Sequence, residues 1–193
     1  MSNFTKQKSK ENRPFIGQVL WYFTSAMIFE NSLFPFMKLK SRLLTLFGAE
    51  VAESVLIKPN VKIKYPWKLK IGTNSSIGEH VWIDNTENII IGNATCISQG
   101  VYLCTGNHDY TNYQLHYFGR EISIGNNCWI CAKAMVFGGS QLLDGVVVGP
   151  GMIVNGLLKA RTVYRLSSCV IEKKRKVSES STALQSVNLN EEF

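Results

Sequence analysis

Residues 122–136 read ISIGNNCWICAKAMV, and an aliphatic residue returns in this stretch every six positions, at Ile124, Ile130 and Val136. The same spacing recurs from residue 57 to residue 154. Its other members are Ile57, Ile63, Leu69, Ile71, Ile77, Ile83, Ile89, Ile91, Ile97, Leu103, Leu142, Val148 and Val154. A period of six fits neither an α-helix of about 3.6 residues per turn nor simple strand alternation. It is typical of a parallel β-helix, in which each hexad is one short strand plus one turn and successive hexads close a triangular coil.

The aliphatic residues are predicted to point inward and to stack in columns along the solenoid. Glycine often follows them, as at Gly78 and Gly92, which suits a turn that needs unusual backbone dihedrals. The spacing shifts by two residues at 69/71, 89/91 and 122/124. Each shift falls at the end of a third hexad, so we expect these to be insertions at corners of the triangle. The periodicity does not determine the hand of the coil.

The repeat is interrupted over residues 106–121, where His108 and His116 occur. A long loop on one coil costs little chain entropy, because the cost of closure grows slowly with length. The loop is predicted to protrude and to form a groove against a neighbouring subunit. Its aromatic residues, which could be buried on such a neighbour, are Tyr110, Tyr113, Tyr117 and Phe118.

The hexads, the TGNHDY motif at 105–110 and the stretch at 122–136 resemble the left-handed β-helix acyltransferases, which carry hexapeptide repeats. The resemblance spans roughly residues 15–174 and is closest to the exopolysaccharide (colanic acid) type, related to the maltose and galactoside O-acetyltransferases. It implies an all-β, left-handed parallel β-helix, a homotrimer, and acetyl-CoA as acetyl donor to a saccharide or glycan-intermediate acceptor.

The resemblance assigns the general base to His108, which would take the proton of the acceptor hydroxyl. Imidazole has a pKa suited to that role. The alternative is a loop histidine that makes local hydrogen bonds. Asp84 and Asn85 fall nearest the acceptor-binding Asn/Asp of the family, although Asp84 could equally be a turn residue. The carboxylate of Asp84 or Asp109 could orient the imidazole or hold acceptor hydroxyls.

In relatives a tryptophan at the position of Trp129 lines the acceptor and pantetheine groove; here it could equally contact a subunit. Ala132 and Pro150 fall where backbone groups contact the pantetheine arm, and an N–H near Ala132 is the candidate donor to the oxyanion. The C-terminal part departs from the family: Asn155–Gly156 replaces a Thr-Lys pair, and RLSS at 165–168 replaces Gly-Asn-Pro-Ala. Cations that could still contact the donor phosphates are Arg161, Arg165, Lys173, Lys174 and Arg175.

The net charge of +7 is concentrated at the two ends of the chain. An odd number of cysteines, five, and a polar N-terminus without a signal peptide predict reduced thiols and a cytoplasmic protein. Residues 15–36 form an apolar stretch, expected as an amphipathic helical segment packed on the domain. The alternative is a helix on the inner face of the membrane, which would make the protein peripheral. The expected organisation is 1–50 for the polar tail and helical segment, 51–160 for the β-helix with loop 106–121, and 161–193 for a C-terminal segment with a disordered tail.

Other functions fit the sequence less well. An N-acetyltransferase of amino sugars uses the same scaffold, and the altered C-terminal part allows a β-helix that only binds or scaffolds. A zinc hydratase shares the fold, but the three histidines here lack its spacing, and no metal is expected. Cys128 and Cys131 have no second cysteine pair, so packing explains them better than zinc. The basic ends lack aromatic residues in a nucleic-acid-binding pattern, so no nucleic-acid partner is expected.

Overall fold

The computed structural model describes residues 14–34, 36–109, 111, 113–166 and 170–174, the last range for its backbone. The basic residues before residue 14, Tyr110, Cys169, Arg175 and the predicted disordered tail lie outside these ranges, as do the side chains of Lys173 and Lys174.

The chain forms a parallel β-helix of six turns. The first turn consists of β1 (Glu50–Val51), β2 (Leu56–Ile57) and β3 (Lys62–Ile63). The second consists of β4 (Leu69–Ile71), β5 (Ser76–Ile77) and β6 (Trp82–Asp84). The third consists of β7 (Ile89–Ile91), β8 (Cys96–Ile97) and β9 (Tyr102–Cys104). A hairpin of β10 (Gly106–His108) and β11 (Tyr117–Gly119) follows. The last three turns are β12 (Ile122–Ile124), β13 (Trp129–Ile130) and β14 (Met135–Phe137); β15 (Gln141–Leu142), β16 (Val147–Val148) and β17 (Ile153–Val154); β18 (Leu157–Leu158) and β19 (Thr162–Leu166).

Three parallel sheets form the walls of the prism. The first wall is β1-β4-β7-β12-β15-β18, the second is β2-β5-β8-β13-β16-β19, and the third is β3-β6-β9-β14-β17. A final strand, β20 (Val170–Lys174), pairs antiparallel with β19 at the end of the second wall. This architecture confirms the predicted all-β solenoid.

The predicted columns of aliphatic residues form the core. In the second wall Ile57, Ile77, Ile97, Ile130 and Val148 lie in register, and each is fully buried. Burying one such side chain contributes about 1.5–3 kcal/mol, so the repeated columns supply much of the driving force for folding.

The two-residue shifts are insertions at corners between the third and first walls, as predicted; the corner after Ile63 holds the 3₁₀ turn Pro66–Lys68. In β4, Leu69 and Ile71 are both buried while Lys70 between them is exposed. Strands β7 and β12 also bury both end residues. Because side chains alternate along a strand, the first inward position of this wall is Leu69, Ile89 or Ile122, and in the next turn it is buried Ser140. Leu69 lies six positions after Ile63, whereas Ser140 lies only four after Val136, so the two extra residues are in the corner.

The glycines that follow the aliphatic residues are explained by close approach between turns of the prism. A Cβ on Gly78 would lie 2.6 Å from the backbone N of Gln99, and one on Gly92 would lie 2.6 Å from the backbone of Gly125. The positive φ expected at these glycines occurs instead two positions later, as at His80 (57°).

The N-terminal segment packs on the first turn. It consists of α1 (Phe15–Thr24), a π-helical turn (Ser25–Phe29) and α2 (Met37–Leu46), and a 3₁₀ turn (Pro66–Lys68) follows β3. The indole N–H of Trp21 donates to the Ile63 carbonyl at 2.9 Å, and the Val61 N–H donates to the Phe29 carbonyl at 3.1 Å. Among the described helices, none combines the length and apolar character needed to cross a bilayer.

Candidate active site

The interruption of the repeat is a β-hairpin at the corner between the third and first walls. Strands β10 and β11 pair antiparallel with His108 opposite Tyr117. The base of the hairpin is attached to the turn below it. The hydroxyl of buried Thr105 accepts from the Glu87 N–H at 2.9 Å and shares a hydrogen bond of 3.1 Å with the Thr86 hydroxyl. Thr86 also hydrogen-bonds the phenol of Tyr117, so the strand opposite His108 is held against the prism.

His108 is exposed, and its ring has a defined orientation. Its Nδ1 lies 2.7 Å from the Leu115 carbonyl oxygen. A carbonyl oxygen only accepts, so Nδ1 carries the hydrogen, and the lone pair of the neutral imidazole is on Nε2. The imidazole and the Tyr117 ring pack in a T-shaped arrangement at a centroid distance of 5.5 Å. The local hydrogen bond considered as an alternative therefore exists, and it leaves the second ring nitrogen able to accept a proton.

The group that orients His108 is a backbone carbonyl, which no residue type in the sequence marks. Leu115 has φ +46°, an uncommon conformation for leucine, and this turns its carbonyl toward the ring. Asp109 does not take this role, because its carboxylate accepts from the N–H and hydroxyl of Thr111 at 2.9 and 2.6 Å. These two hydrogen bonds, that from the hydroxyl first, lower the pKa of Asp109.

Asp84 ends β6 on the third wall, beside the corner that carries the hairpin. Its carboxylate accepts from the Lys64 ammonium at 2.9 Å and from the Tyr102 hydroxyl at 3.2 Å. Burial lowers the pKa of Lys64, but the hydrogen bond to Asp84 and the attraction of its charge outweigh burial, and the net shift is upward. Burial first, then Cys104 and Asp84, raise the pKa of Tyr102. Asp84 thus belongs to a cluster of polar side chains, with Lys64 and Tyr102, that is partly exposed to solvent.

Asn85 lies next to Asp84 but faces the interior. It is fully buried, its amide oxygen accepts from the Tyr65 N–H at 3.0 Å, and its amide nitrogen donates to the Tyr65 carbonyl at 2.7 Å. These bonds join two successive turns at a corner. Because the side chain is also fully buried, it offers no surface to an acceptor, so we leave Asn85 out of the proposed acceptor site.

A cavity of about 360 Å³ lies between the N-terminal helix and the third wall. Asp84 and Lys64 are at its edge together with aromatic side chains. Its aromatic residues are Trp21, Tyr22, Tyr65, Trp67 and Trp82. Aromatic faces beside carboxylate and ammonium groups suit a saccharide, which presents both apolar C–H faces and hydroxyls. Two of these aromatic residues, Trp21 and Tyr22, come from the apolar stretch at 15–36, for which the sequence predicts packing on the domain or contact with a membrane surface.

The residues expected to contact the donor lie elsewhere on the prism. Trp129 projects from the second wall, 47% exposed, and its indole N–H donates to the Ser98 hydroxyl at 2.9 Å. Ala132 and Pro150 are on successive turns at the corner between the second and third walls, where the Gly151 N–H donates to the Ala132 carbonyl. The Ala132 N–H has no acceptor among the described residues.

Asn155, Arg161 and Arg165 are all exposed but do not converge. Asn155 lies at the corner between the third and first walls, Arg161 at the corner between the first and second, and Arg165 on β19. The corner of His108 and the corner of Ala132 are at opposite edges of the third wall. One protomer therefore does not bring the predicted base and the predicted donor groove together.

The fold is that of the hexapeptide-repeat acetyltransferases. A hexapeptide-repeat acetyltransferase of Vibrio cholerae O1 biovar eltor, solved with acetyl-CoA, aligns with a TM-score of 0.73 at 18% identity, covering 84% of this chain and 88% of that one. A galactoside acetyltransferase solved with coenzyme A aligns at 0.72 and 20% identity, covering 83% and 80%. These solved structures are left-handed β-helices, which confirms the expected fold class.

A curated sequence gives the family. The Escherichia coli K12 protein named as a colanic acid biosynthesis acetyltransferase, WcaF, is 35% identical over 179 residues, which are 93% of this chain and 98% of that protein. The chain belongs to the hexapeptide-repeat acetyltransferase family of WcaF, as the repeats and the TGNHDY motif indicated. No protein-family model matches the sequence.

Proposed function

We propose that this protein transfers the acetyl group of acetyl-CoA to a hydroxyl of a sugar or exopolysaccharide intermediate. Membership of the acetyltransferase family supports the reaction class, and fold neighbours solved with acetyl-CoA or coenzyme A support the donor. The observation that carries the proposal is the hydrogen bond from Nδ1 of His108 to the Leu115 carbonyl, because it makes Nε2 the proton acceptor.

In the proposed reaction, Nε2 of His108 takes the proton of the acceptor hydroxyl as its oxygen attacks the thioester carbonyl. The tetrahedral intermediate carries a negative oxygen, and the Ala132 N–H is the candidate donor to it. When the intermediate collapses, the C–S bond breaks, the acetyl ester remains on the acceptor, and the coenzyme A sulfur takes the proton from the imidazolium. The Leu115 carbonyl stabilises that imidazolium while it exists.

The site is proposed to form between protomers of a homotrimer. His108 and Ala132 lie at opposite edges of the third wall, so a neighbour must supply one of them. The outward face of that wall carries an apolar ladder of Trp82, Tyr102, Met135 and Ile153 in register. Three of the four side chains are at least 40% exposed in the single chain, and exposed apolar ladders of this kind mark interfaces.

Asp84 is the proposed acceptor-binding carboxylate, with the adjoining aromatic cavity holding the saccharide. Trp129 and the Pro150 backbone would line the pantetheine groove, and Asn155, Arg161 and Arg165 would contact the nucleotide end of the donor. Asp109 remains a second candidate for acceptor hydroxyls, since it adjoins His108 in the hairpin and is partly exposed. A cytoplasmic location accords with the four free cysteines in the described part of the chain.

The test is acetyl-CoA consumption against a panel of saccharides and nucleotide sugars, comparing wild type with His108→Ala. Loss of a general base should lower kcat by about 10²–10⁴-fold, with coenzyme A binding unchanged in a thermal-shift assay. His116→Ala, in the same hairpin, is the matched control and should remain active. Near-normal turnover by His108→Ala would refute the assignment. An acetyl group released by mild alkali marks an ester, whereas an alkali-stable product would indicate N-acetylation.

The interface is tested by mixing two impaired variants, His108→Ala and Trp129→Ala, during refolding. If each site draws these residues from different protomers, random mixing of equal amounts restores about a quarter of the sites. A mixture no more active than its components would place the whole site within one chain.

A further inference from the structure

The N-terminal helix is apolar on its solvent side as well as on its buried side. Four apolar residues three or four positions apart lie on one face of α1 and the π-helical turn. They are Ile16, Leu20, Phe23 and Met27. Their exposed fractions are 72%, 56%, 59% and 70%. The opposite face packs into the core through Trp21. The outer face of a surface helix is normally polar, so these four residues, here called the apolar stripe, require another explanation.

The apolar surface continues into α2 and is accompanied by positive charge. Leu33, Phe36 and Leu46 are 89%, 63% and 75% exposed. Lys38 and Arg42, four residues apart on α2, are exposed as well. The first 49 residues hold seven Lys or Arg and two Glu, a net +5 of the chain's +7. Four of those cations, in residues 6–13, directly precede the stripe in the sequence.

The only acidic residue between 14 and 49 is engaged within the protein. The Glu30 carboxylate accepts from the Ser25 hydroxyl at 3.2 Å and lies 3.8 Å from the Lys62 ammonium. The segment packs on β1, β2 and β3, the terminal strands of all three walls, so its outer face is at the open end of the solenoid. Within residues 14–34 and 36–49 the charge on this surface is therefore positive, and the nearest exposed carboxylates, Glu50 and Glu53, follow the segment in the first turn.

We propose that the apolar stripe and the basic residues around it dock the protein on a membrane surface rich in anionic phospholipid. Apolar side chains on one helix face enter the boundary between headgroups and acyl chains, and nearby Lys and Arg are attracted by the anionic headgroups. The helix would lie in the plane of the surface. The same helix lines the proposed acceptor cavity through Gln18 and Tyr22, from a different face.

The experiment is co-sedimentation of the full chain with phosphatidylcholine vesicles, with and without about one quarter phosphatidylglycerol. Wild type should bind the anionic vesicles, bind neutral ones weakly, and lose affinity as salt is raised. The double variant Leu20→Glu/Phe23→Glu should partition about tenfold or more weakly, because two inserted apolar side chains become charged. Leu157→Glu, a change at a residue 62% exposed on the first wall, is the matched control and should bind as wild type.

Circular dichroism and sedimentation equilibrium at one protein concentration accompany each variant. An unchanged oligomer with weakened vesicle binding supports docking. Failure of wild type to bind anionic vesicles overturns the proposal. Dissociation of the oligomer in the double variant also overturns it, since the stripe would then be covered by a second copy of the chain. Vesicle binding is read without any acetyl transfer, so either result leaves the proposed reaction to its own test.

Discussion

The substitution Gly78→Ala tests why glycine follows the aliphatic residue of a hexad. The new Cβ would lie 2.6 Å from the Gln99 N, whereas ordinary van der Waals contact begins near 3.4 Å. Relief requires two turns of the prism to separate by about 0.8 Å. That movement would stretch the hydrogen bond from the Gly78 N–H to the Ile97 carbonyl from 2.7 Å to about 3.5 Å. Overpacking costs about 1–3 kcal/mol and a lost hydrogen bond about 0.5–1.5 kcal/mol, so we expect a loss of about 2–4 kcal/mol.

Thermal unfolding at fixed protein concentration measures this loss, since an oligomer's midpoint depends on concentration. For a chain of 193 residues, the expected decrease in Tm is about 5–15 °C. Gly151→Ala is the matched control: Gly151 has φ +68°, but a Cβ there meets nothing within 4 Å. It should lose only about 1 kcal/mol, from the left-handed conformation. If Gly78→Ala unfolds at or above the Tm of Gly151→Ala, close approach between turns does not explain the glycine.

Two further predictions concern the hairpin and a buried thiol. Leu115→Val should lower kcat about tenfold or more by displacing the carbonyl that orients His108, because a β-branched residue disfavours φ +46°. Leu115→Gly adopts that φ freely and should stay near wild type, and equal activity of the two variants would contradict the role of the carbonyl. Burial, then the charge of Cys96, raises the pKa of the Cys131 thiol to about 11. About one Cys131 thiol in a thousand is then ionised near pH 8. Mass spectrometry should therefore show slow labelling of Cys131 by iodoacetamide in the folded protein and fast labelling in urea. Rapid labelling of the folded protein would contradict the burial of this thiol.

The solenoid was predictable because each aliphatic position repeats the same physical requirement. A hexad places one side chain inward per strand, so the sequence itself records the columns that contain Ile77 and Ile97. The corner insertions were predictable as well, because a two-residue shift at the end of a third hexad leaves the strand columns in register on both sides. The conformation of those corners, such as the 3₁₀ turn Pro66–Lys68, has no comparable periodic signal.

The candidate site also contains residues that the sequence could predict and residues that it could not. His108 was predicted as the base because its residue type, its motif and the broken repeat coincide. The Leu115 carbonyl could not be found, since a backbone atom has no residue identity and depends on a φ that leucine rarely adopts. Asn85 was assigned to the acceptor although it is buried, because the sequence shows an amide at a corner but not which way it turns.

A flat wall of two- and three-residue strands offers no cleft, so this scaffold needs an added element and an assembly to enclose two substrates. The hairpin supplies the element, and its hydrogen bonds to Thr86 and Thr105 fix it at one edge of the third wall. The Ala132 N–H lies at the other edge. Rigid prism geometry keeps these two groups apart within a chain, and the same rigidity would hold them in a constant relation across an interface. In the proposed reaction the base and the oxyanion donor would therefore meet only where protomers pack side by side, so assembly would be a chemical requirement as well as a means of burying the apolar ladder.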